Sequence, residues 1–209
     1  MEPHSGELPS PPSAGRGWGE GSTSEDAAWV DIDLPQPARE VADYVRNVER
    51  LLRLNPHLDI RRFAVVAGGF ELDALNEMNG LAVSQRLTFR ETGPWGYALE
   101  YDSGLKQATE VTVQAQGAGA RLRIRETYRP PANDAELAEV DRSLTPWGQA
   151  LRRHFLGLAR WRRLPGYRRW REGVWLAMRP RERGIARLIV WATVIEFIVF
   201  VAAVLLYFG

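Results

Sequence analysis

The chain has 209 residues, with 27 basic and 26 acidic side chains, a net charge of +1 and no cysteine. The absence of cysteine excludes disulfide bonds, a thiolate nucleophile and sulfur-ligated metal sites. The charges are unevenly distributed, because residues 1–150 carry 23 acidic and 15 basic groups whereas residues 151–209 carry 3 and 12. This division predicts an acidic domain followed by a basic C-terminal part.

The first 27 residues are rich in proline, glycine, serine and glutamate and contain few aliphatic side chains. Such a composition cannot bury enough apolar surface to offset the entropy lost on ordering, so we predict a disordered tail over residues 1–27. The folded domain is predicted over residues 28–161. It begins with a strand in which Val30, Ile32 and Leu34 alternate with acidic residues, a period typical of a half-buried strand.

A helix with apolar residues at three- and four-residue spacing is predicted to begin at Pro37 and to end before Asn55 and Pro56. Six strands separated by turn signals follow over residues 58–129. The turn signals are Gly68 with Gly69, Asn79 with Gly80, Gly93 with Pro94, Ser103 with Gly104, and Gly117 with Gly119. This spacing predicts an antiparallel meander with one apolar and one wet face.

A closing helix is predicted from Thr145, which with Pro146 forms a favourable pair for the start of a helix. Apolar residues recur at helical spacing up to about Trp161 and are expected to cover the sheet; they are Trp147, Leu151, Phe155 and Leu158. A separate, shorter helix is expected before it, over residues 134–143.

Residues 188–208 are apolar apart from Thr193 and Glu196. At about 1.5 Å per residue they are long enough to cross a bilayer core of about 30 Å as a helix. Only Gly209 follows, so no later segment could cover such a helix on every side inside a soluble fold. We therefore predict a transmembrane anchor over residues 188–208.

Twelve arginines and only two glutamates lie between residues 152 and 187. Cationic flanks remain on the cytoplasmic side, so we expect a single-pass protein of a bacterial inner membrane with its N-terminal domain in the cytoplasm. Binding to nucleic acid is disfavoured, because these arginines adjoin an anchor, where attraction to anionic lipid contributes about 1 kcal/mol each. An arginine-rich juxtamembrane segment is predicted over residues 162–187, lying on the anionic inner leaflet through Arg168, Arg169, Trp170, Arg171 and Trp175.

Glu196 is the one acidic residue inside the predicted anchor. An ionised side chain near the bilayer centre costs at least about 2.5–3.5 kcal/mol, so we expect it to be protonated or paired. Glu196 shares a helical face with Ala192, Val199 and Ala203, and small residues allow another helix to approach closely. Two hypotheses remain, namely association with a second copy or another membrane protein, and a neutral carboxyl group in a single span.

Several polar residues fall on the apolar face of the predicted sheet, where an unpartnered buried polar group costs roughly 1–3 kcal/mol. They are Gln85, Gln107, Thr109 and Glu126. These side chains either bind the polar end of an apolar ligand, or lie at exposed strand ends, with Glu126 paired to an arginine. Several aromatic residues on the same face or on the closing helix are expected to belong to the core, and to line the pocket only if the cavity is open, namely Trp95, Tyr97, Tyr101, Trp147 and Phe155.

The sequence contains no recognisable catalytic motif. His4, His57 and His154 do not form a metal-ligand spacing with one another or with carboxylates, and no phosphate loop, nucleophile elbow or dinucleotide fingerprint is found. We therefore predict no metal site, no cofactor and no catalytic residue.

The strand order and the segment PQPAREVADYVRNVERLLRLNP resemble the START-like, or SRPBCC, helix-grip superfamily over residues 28–160. The resemblance implies an α+β domain, in which a curved antiparallel sheet of about seven strands surrounds a long C-terminal helix and an apolar cavity. It also implies a hydrophobic small molecule as ligand, such as a lipid, isoprenoid or quinone, bound or transferred at the membrane. The alternatives are an anchored protein that recruits a cytoplasmic enzyme, similar to membrane-tethered accessory proteins of carbon monoxide dehydrogenase, and a polyketide cyclase or aromatase.

Overall fold

The structure is a computed structural model that describes residues 13–18, 26–130 and 134–208. These residues contain eight strands, namely β1 (Ser13–Trp18), β2 (Asp26–Leu34), β3 (Leu58–Val66), β4 (Gly69–Asn76), β5 (Leu81–Gly93), β6 (Gly96–Tyr101), β7 (Lys106–Gln116) and β8 (Gly119–Tyr128). The helices are α1 (Ala38–Val45), α2 (Val48–Arg53), α3 (Asp134–Arg160), α4 (Tyr167–Trp170), which continues as a π-helical turn over Arg171–Trp175, and α5 (Pro180–Phe208).

The strands form one antiparallel sheet in the order β1-β2-β8-β7-β6-β5-β4-β3. The predicted meander is confirmed, because every neighbour between β3 and β8 is also the neighbour in sequence. Positive φ angles occur at Gly68, Gly80, Gly104 and Gly117, the turns that the sequence indicated.

The core lies between the concave face of the sheet and the helices. Val30, Ile32 and Leu34 of β2 are buried, as the alternating pattern predicted. Helix α3 packs on this strand, and its buried residues Trp147 and Leu151 point toward the sheet. The α+β helix-grip architecture predicted from the sequence is therefore confirmed.

The chain between residues 13 and 18 departs from the predicted disordered tail. Strand β1 pairs with β2 from Ser13 opposite Asp31 to Trp18 opposite Asp26. The prediction was based on apolar side chains, whereas β1 is held by backbone hydrogen bonds to the open edge of β2, for which composition gives no signal. Residues 26 and 27 of the predicted tail belong to β2, and residues 1–12 and 19–25 lie outside the described part.

Helix α3 also differs from its prediction, since it runs without a break through Pro146. An internal proline costs about 3 kcal/mol because it removes one backbone hydrogen bond. Burying a large apolar side chain contributes about 1.5–3 kcal/mol, and Leu144, Trp147 and Leu151 are all buried on the same side of the helix. Together they outweigh the proline, so the two expected helices are one.

Helix α5 is long and apolar enough to cross a membrane, from Pro180 to Tyr207. It begins eight residues before the predicted anchor. Pro180 suits the first turn of a helix, and the side chain of Glu182 accepts a hydrogen bond from the backbone N–H of Arg179 at 2.9 Å. The helix therefore starts inside the arginine-rich segment, and its apolar residues beyond Leu188 are exposed.

Candidate functional site

A cavity of about 460 Å³ opens at the end of the sheet where β4, β6 and β8 finish and β5 and β7 begin. Its walls combine the end of α2, the turn between β4 and β5, the loop between β6 and β7, and one residue of α3. Apolar lining comes from Leu52, Leu58, Leu72, Val83, Leu105 and Trp147, and polar lining from Asn55, His57, Gln85, Tyr101, Lys106 and Tyr128. Its volume falls in the range of roughly 300–1,000 Å³ that is usual for small-molecule pockets.

A buried ion pair lies at the wall of this cavity. The side chain of Glu126 on β8 is 1% exposed and is paired with the ammonium group of Lys106 on β7. The hydroxyl of Tyr128 donates a hydrogen bond to the other carboxylate oxygen. A buried carboxylate is tolerated only when it is paired and hydrogen-bonded, so these contacts account for the position of Glu126.

Lys106 is the only lysine in the sequence and reaches the cavity between two aromatic rings. Its Nζ lies 5.8 Å from the ring centre of Tyr101 and 5.9 Å from that of Trp147. Both distances suit cation–π attraction, which stabilises an ammonium group that has lost part of its water. The cavity therefore has a positive group at a fixed place in its apolar wall.

Tyr101 adds a hydroxyl group to the same wall. This hydroxyl lies 3.0 Å from Oγ1 of Thr109, which is fully buried on β7 opposite Glu126. Burial raises the pKa of Tyr101, while the charge of Lys106 opposes the shift. The phenol therefore stays neutral near pH 7 and can donate a hydrogen bond.

Two further hydrogen bonds fix the rim and the helix side of the cavity. Gln85 donates to the backbone carbonyl of Ser103 at 2.6 Å and so holds the loop between β6 and β7. Gly104, with φ of 93°, follows this loop carbonyl; a Cβ atom there would lie 2.7 Å from the Gln85 amide nitrogen. The indole N–H of Trp147 donates to the backbone carbonyl of Leu51 at 3.3 Å, which links α3 to α2.

Five of the eight predicted ligand-binding residues lie at the cavity or directly behind its lining. Gln85, Tyr101 and Trp147 line the cavity, and Thr109 and Glu126 lie behind lining residues to which they are hydrogen-bonded.

Tyr97 and Phe155 belong to the core instead of the cavity lining. The hydroxyl of Tyr97 donates to the backbone carbonyl of Val45 at 2.7 Å, and Phe155 packs edge-on against Tyr44. Both side chains are buried, and these contacts join them to α1.

The prediction for Gln107 was wrong, because it is exposed and lies outside the cavity. Lys106 pairs with Tyr128 and Ala108 with Thr127, so β7 contains a bulge at Gln107. One extra residue shifts the two-residue alternation, and Lys106 takes the inward position that the sequence pattern assigned to Gln107. The charged residue at the cavity wall was missed for this reason.

The predicted membrane-surface residues lie on a segment that packs partly against the domain. Arg168, Arg169 and Trp170 are exposed, and Trp175 is half-buried with its ring 5.8 Å from that of Trp170. Arg171 departs from the prediction, because its Nε donates to Nδ1 of His154 at 3.3 Å. It faces the domain because α3 brings a buried acceptor beside it.

His154 is fully buried at the junction between α3 and this segment. Burial, and after it the nearby charge of Arg171, lower its pKa to about 3. The neutral ring accepts from Arg171 through Nδ1, so it carries its proton on Nε2, which has no partner among the described residues. No group of three or more histidine, aspartate or glutamate side chains in the described part could hold a metal ion.

No protein-family model matches the chain, and no curated protein matches it. Solved structures do match. A START superfamily protein from Mycobacterium smegmatis is 13% identical, with a TM-score of 0.52 over 63% of this chain and 98% of that protein. The Zhui aromatase/cyclase from Streptomyces sp. R1128 is 11% identical, with a TM-score of 0.53 over 68% of this chain and 98% of that protein.

The protein XoxI from Bacillus cereus is 15% identical, with a TM-score of 0.51 over 64% of this chain and 97% of that protein. These identities are too low to transfer an activity, but each match covers nearly the whole of the other protein. The N-terminal domain of this chain therefore has the START-like helix-grip fold, to which a long apolar C-terminal helix is added.

Proposed function

We propose that this chain is a membrane-tethered protein that binds or transfers a hydrophobic small molecule, such as a lipid, an isoprenoid or a quinone. The observation that carries the proposal is the cavity of about 460 Å³ between the curved sheet and α3. The alternative role, recruitment of a cytoplasmic enzyme by a domain with a closed core, requires bulky side chains to meet across the sheet. The open space beside Leu72 and Val83 argues against that arrangement.

The polar wall of the cavity indicates what kind of apolar molecule it accepts. Lys106 presents an ammonium group and Tyr101 a neutral hydroxyl in an otherwise apolar site. Both groups can donate a hydrogen bond to a carbonyl, carboxylate or phosphate oxygen. The ligand we propose therefore has an apolar body and one oxygen-bearing polar end.

Helix α5 supplies the tether, with the domain on the cytoplasmic side. The excess of arginine in residues 152–187 favours that orientation, in a bacterial inner membrane. Exposed Arg169 and Trp170 are available to the headgroup layer next to the tether, and the exposed Arg168 beside them is paired with Glu172. A tether of this kind keeps the cavity beside a reservoir of hydrophobic molecules.

Identification of the ligand tests the proposal. The full chain, purified from its host in amphipol, should carry an apolar molecule that native mass spectrometry and lipid extraction detect. Val83→Trp should abolish it by filling the cavity, whereas Val65→Trp, on an exposed position of β3, should leave it unchanged. A wild-type protein that is empty and binds none of a panel of lipids, isoprenoids and quinones would refute the proposal.

We also propose that α5 associates with another helix, either of a second copy or of another membrane protein. The support is the single acidic residue Glu196 on a face with Ala192 and Ala203. Cysteines at Ala192 or Ala203 should crosslink in native membranes more than one at Val194, and Glu196→Leu should remove the difference. Equal adducts at all three positions would support a lone span with a neutral carboxyl group.

A further inference from the structure

Two arginines hold the first turn of α5 against the folded domain. Arg181 forms an ion pair of 3.3 Å with Glu77, in the turn between β4 and β5. Arg183 donates at 2.8 Å to the backbone carbonyl of Arg53, the last residue of α2. Nε of Arg183 donates to the carbonyls of Trp175 and Met178, and Nη2 donates to that of Leu176, at 3.0–3.1 Å, so its guanidinium is fixed in place.

Both points of attachment adjoin the mouth of the cavity. Arg53 lies between the lining residues Leu52 and Asn55, and Glu77 lies between Asn76 and Met78, which also line the cavity. The two sides are joined to each other, because the backbone N–H of Glu77 donates to the carbonyl of His57 at 2.8 Å. The start of α5 and the mouth of the cavity are therefore neighbours.

This position limits how far the mouth can lie from a bilayer that α5 crosses. Arg181 precedes Leu188 by seven residues, or about 10 Å along a helix. The headgroup layer on each side of a bilayer is about 5–8 Å thick. Arg181 therefore lies about 10 Å outside the hydrocarbon core if α5 is upright, and closer to it if the helix is tilted, so the turn that Arg181 contacts lies close to the headgroups.

The turn at the mouth also has the surface that such a position requires. Leu81 is 62% exposed, although it belongs to the lining of the cavity. A single exposed leucine is normal on a protein surface. Leu81, however, lines the opening of the cavity together with Met78 and Leu105, so the opening has an apolar part. Arg129 at the same opening matches anionic headgroups in charge.

We propose that the mouth of the cavity faces the bilayer, with the turn over residues 77–81 inserted among the lipid headgroups and held there by Arg181 and Arg183. Leu81 then contacts acyl chains, and a hydrophobic ligand passes between the membrane and the cavity without entering bulk water. The route of the ligand rests on the proposed function, whereas the contact of the turn with lipid does not.

The absence of native cysteine makes a single-site probe straightforward. The full chain is labelled with an environment-sensitive fluorophore at Leu81→Cys or, as the matched control, at Val65→Cys, which is 79% exposed. The two positions lie about 20 Å apart along the sheet, since the β4 partners of Leu81 and Val65 are six residues apart. Each protein is reconstituted into phosphatidylcholine and phosphatidylglycerol vesicles that contain brominated lipid.

We expect brominated lipid to quench the fluorophore at position 81 and to shift its emission to the blue, with neither effect at position 65. Arg181→Glu should reduce the quenching at position 81, and the exchange Glu77→Arg with Arg181→Glu should restore it. Equal quenching at both positions would overturn the proposal. Quenching at position 81 that is unchanged by Arg181→Glu would overturn it as well. Because this measurement needs no ligand, an empty cavity with intact quenching would reject the proposed function and retain the membrane-facing mouth.

Discussion

His154 should make the stability of the protein depend on pH through one buried ring. The ring is fully buried, and after burial the charges of Arg171, Arg50, Arg183 and Arg168 further disfavour its charged form. We expect His154→Asn to remove this dependence, because the asparagine oxygen can replace Nδ1 as the acceptor for Arg171 without titrating.

The sign and size follow from the pKa values of the two states. The pKa is about 6.5 in the unfolded chain and about 3 in the folded protein, so below pH 6.5 the unfolded state binds a proton that the folded state excludes. Stability is therefore unaffected above pH 6.5 and is lost as the pH falls toward 3. At pH 5.0, 1.5 units below the unfolded value, the loss is about 2 kcal/mol at 1.36 kcal/mol per unit.

Urea denaturation of the full chain in mild detergent, followed by tryptophan fluorescence at pH 7.5 and pH 5.0, measures this difference. The wild type should lose about 2 kcal/mol more than His154→Asn between the two values. Carboxylates titrate in both proteins, and comparison of the two cancels their contribution. If both proteins lose the same free energy, then His154 is not held neutral by burial and the reasoning fails.

Two other substitutions test the ion pair at the cavity wall and the packing of α3 on β2, by the same unfolding measurement. Glu126→Ala should cost about 3–5 kcal/mol, because it leaves the ammonium group of Lys106 beside an apolar wall without its carboxylate; a cost below 1 kcal/mol would mean that water reaches the pair. Gly148→Ala places a Cβ atom 2.7 Å from Val30 Cγ2, so overpacking of about 1–3 kcal/mol should exceed the helical preference for alanine of about 1 kcal/mol. Gly157→Ala is the matched control and should be neutral or stabilising, since the atom nearest to the added Cβ is the movable end of the Tyr167 side chain. An equal loss of stability in Gly148→Ala and Gly157→Ala would contradict the argument.

The fold was predictable because it depends on patterns that are local in sequence. Alternation in β2 and glycines at turns such as Gly80 and Gly117 set the strand order. The polar cluster was predicted only in part. Thr109 and Glu126 fall on the inward face as expected, but their partner Lys106 reaches that face through a bulge, which depends on pairing with β8 and leaves no mark in the composition of β7.

The C-terminal segment was the least predictable part. Its arginines were interpreted as a uniform cationic surface, since charge counting treats them alike. In the structure Arg171 and Arg183 turn toward the domain, because His154 and the carbonyl of Arg53 provide acceptors there. Such partners are distant in sequence, so only the tertiary structure could separate the arginines that bind the domain from those that remain exposed.

The bulge in β3 has a consequence for the association of one copy of the protein with another. Strand β3 is an outer strand of the open sheet, and its pairing with β4 shifts between Ile60 and Arg62. A long, regular outer strand invites a second copy to extend the sheet, which leads to aggregation. Here Arg61 and Arg62 are exposed on an irregular edge, so an approaching copy meets long charged side chains and a broken row of backbone partners. Strand β3 is therefore a poor template for the addition of a second copy to this edge of the sheet.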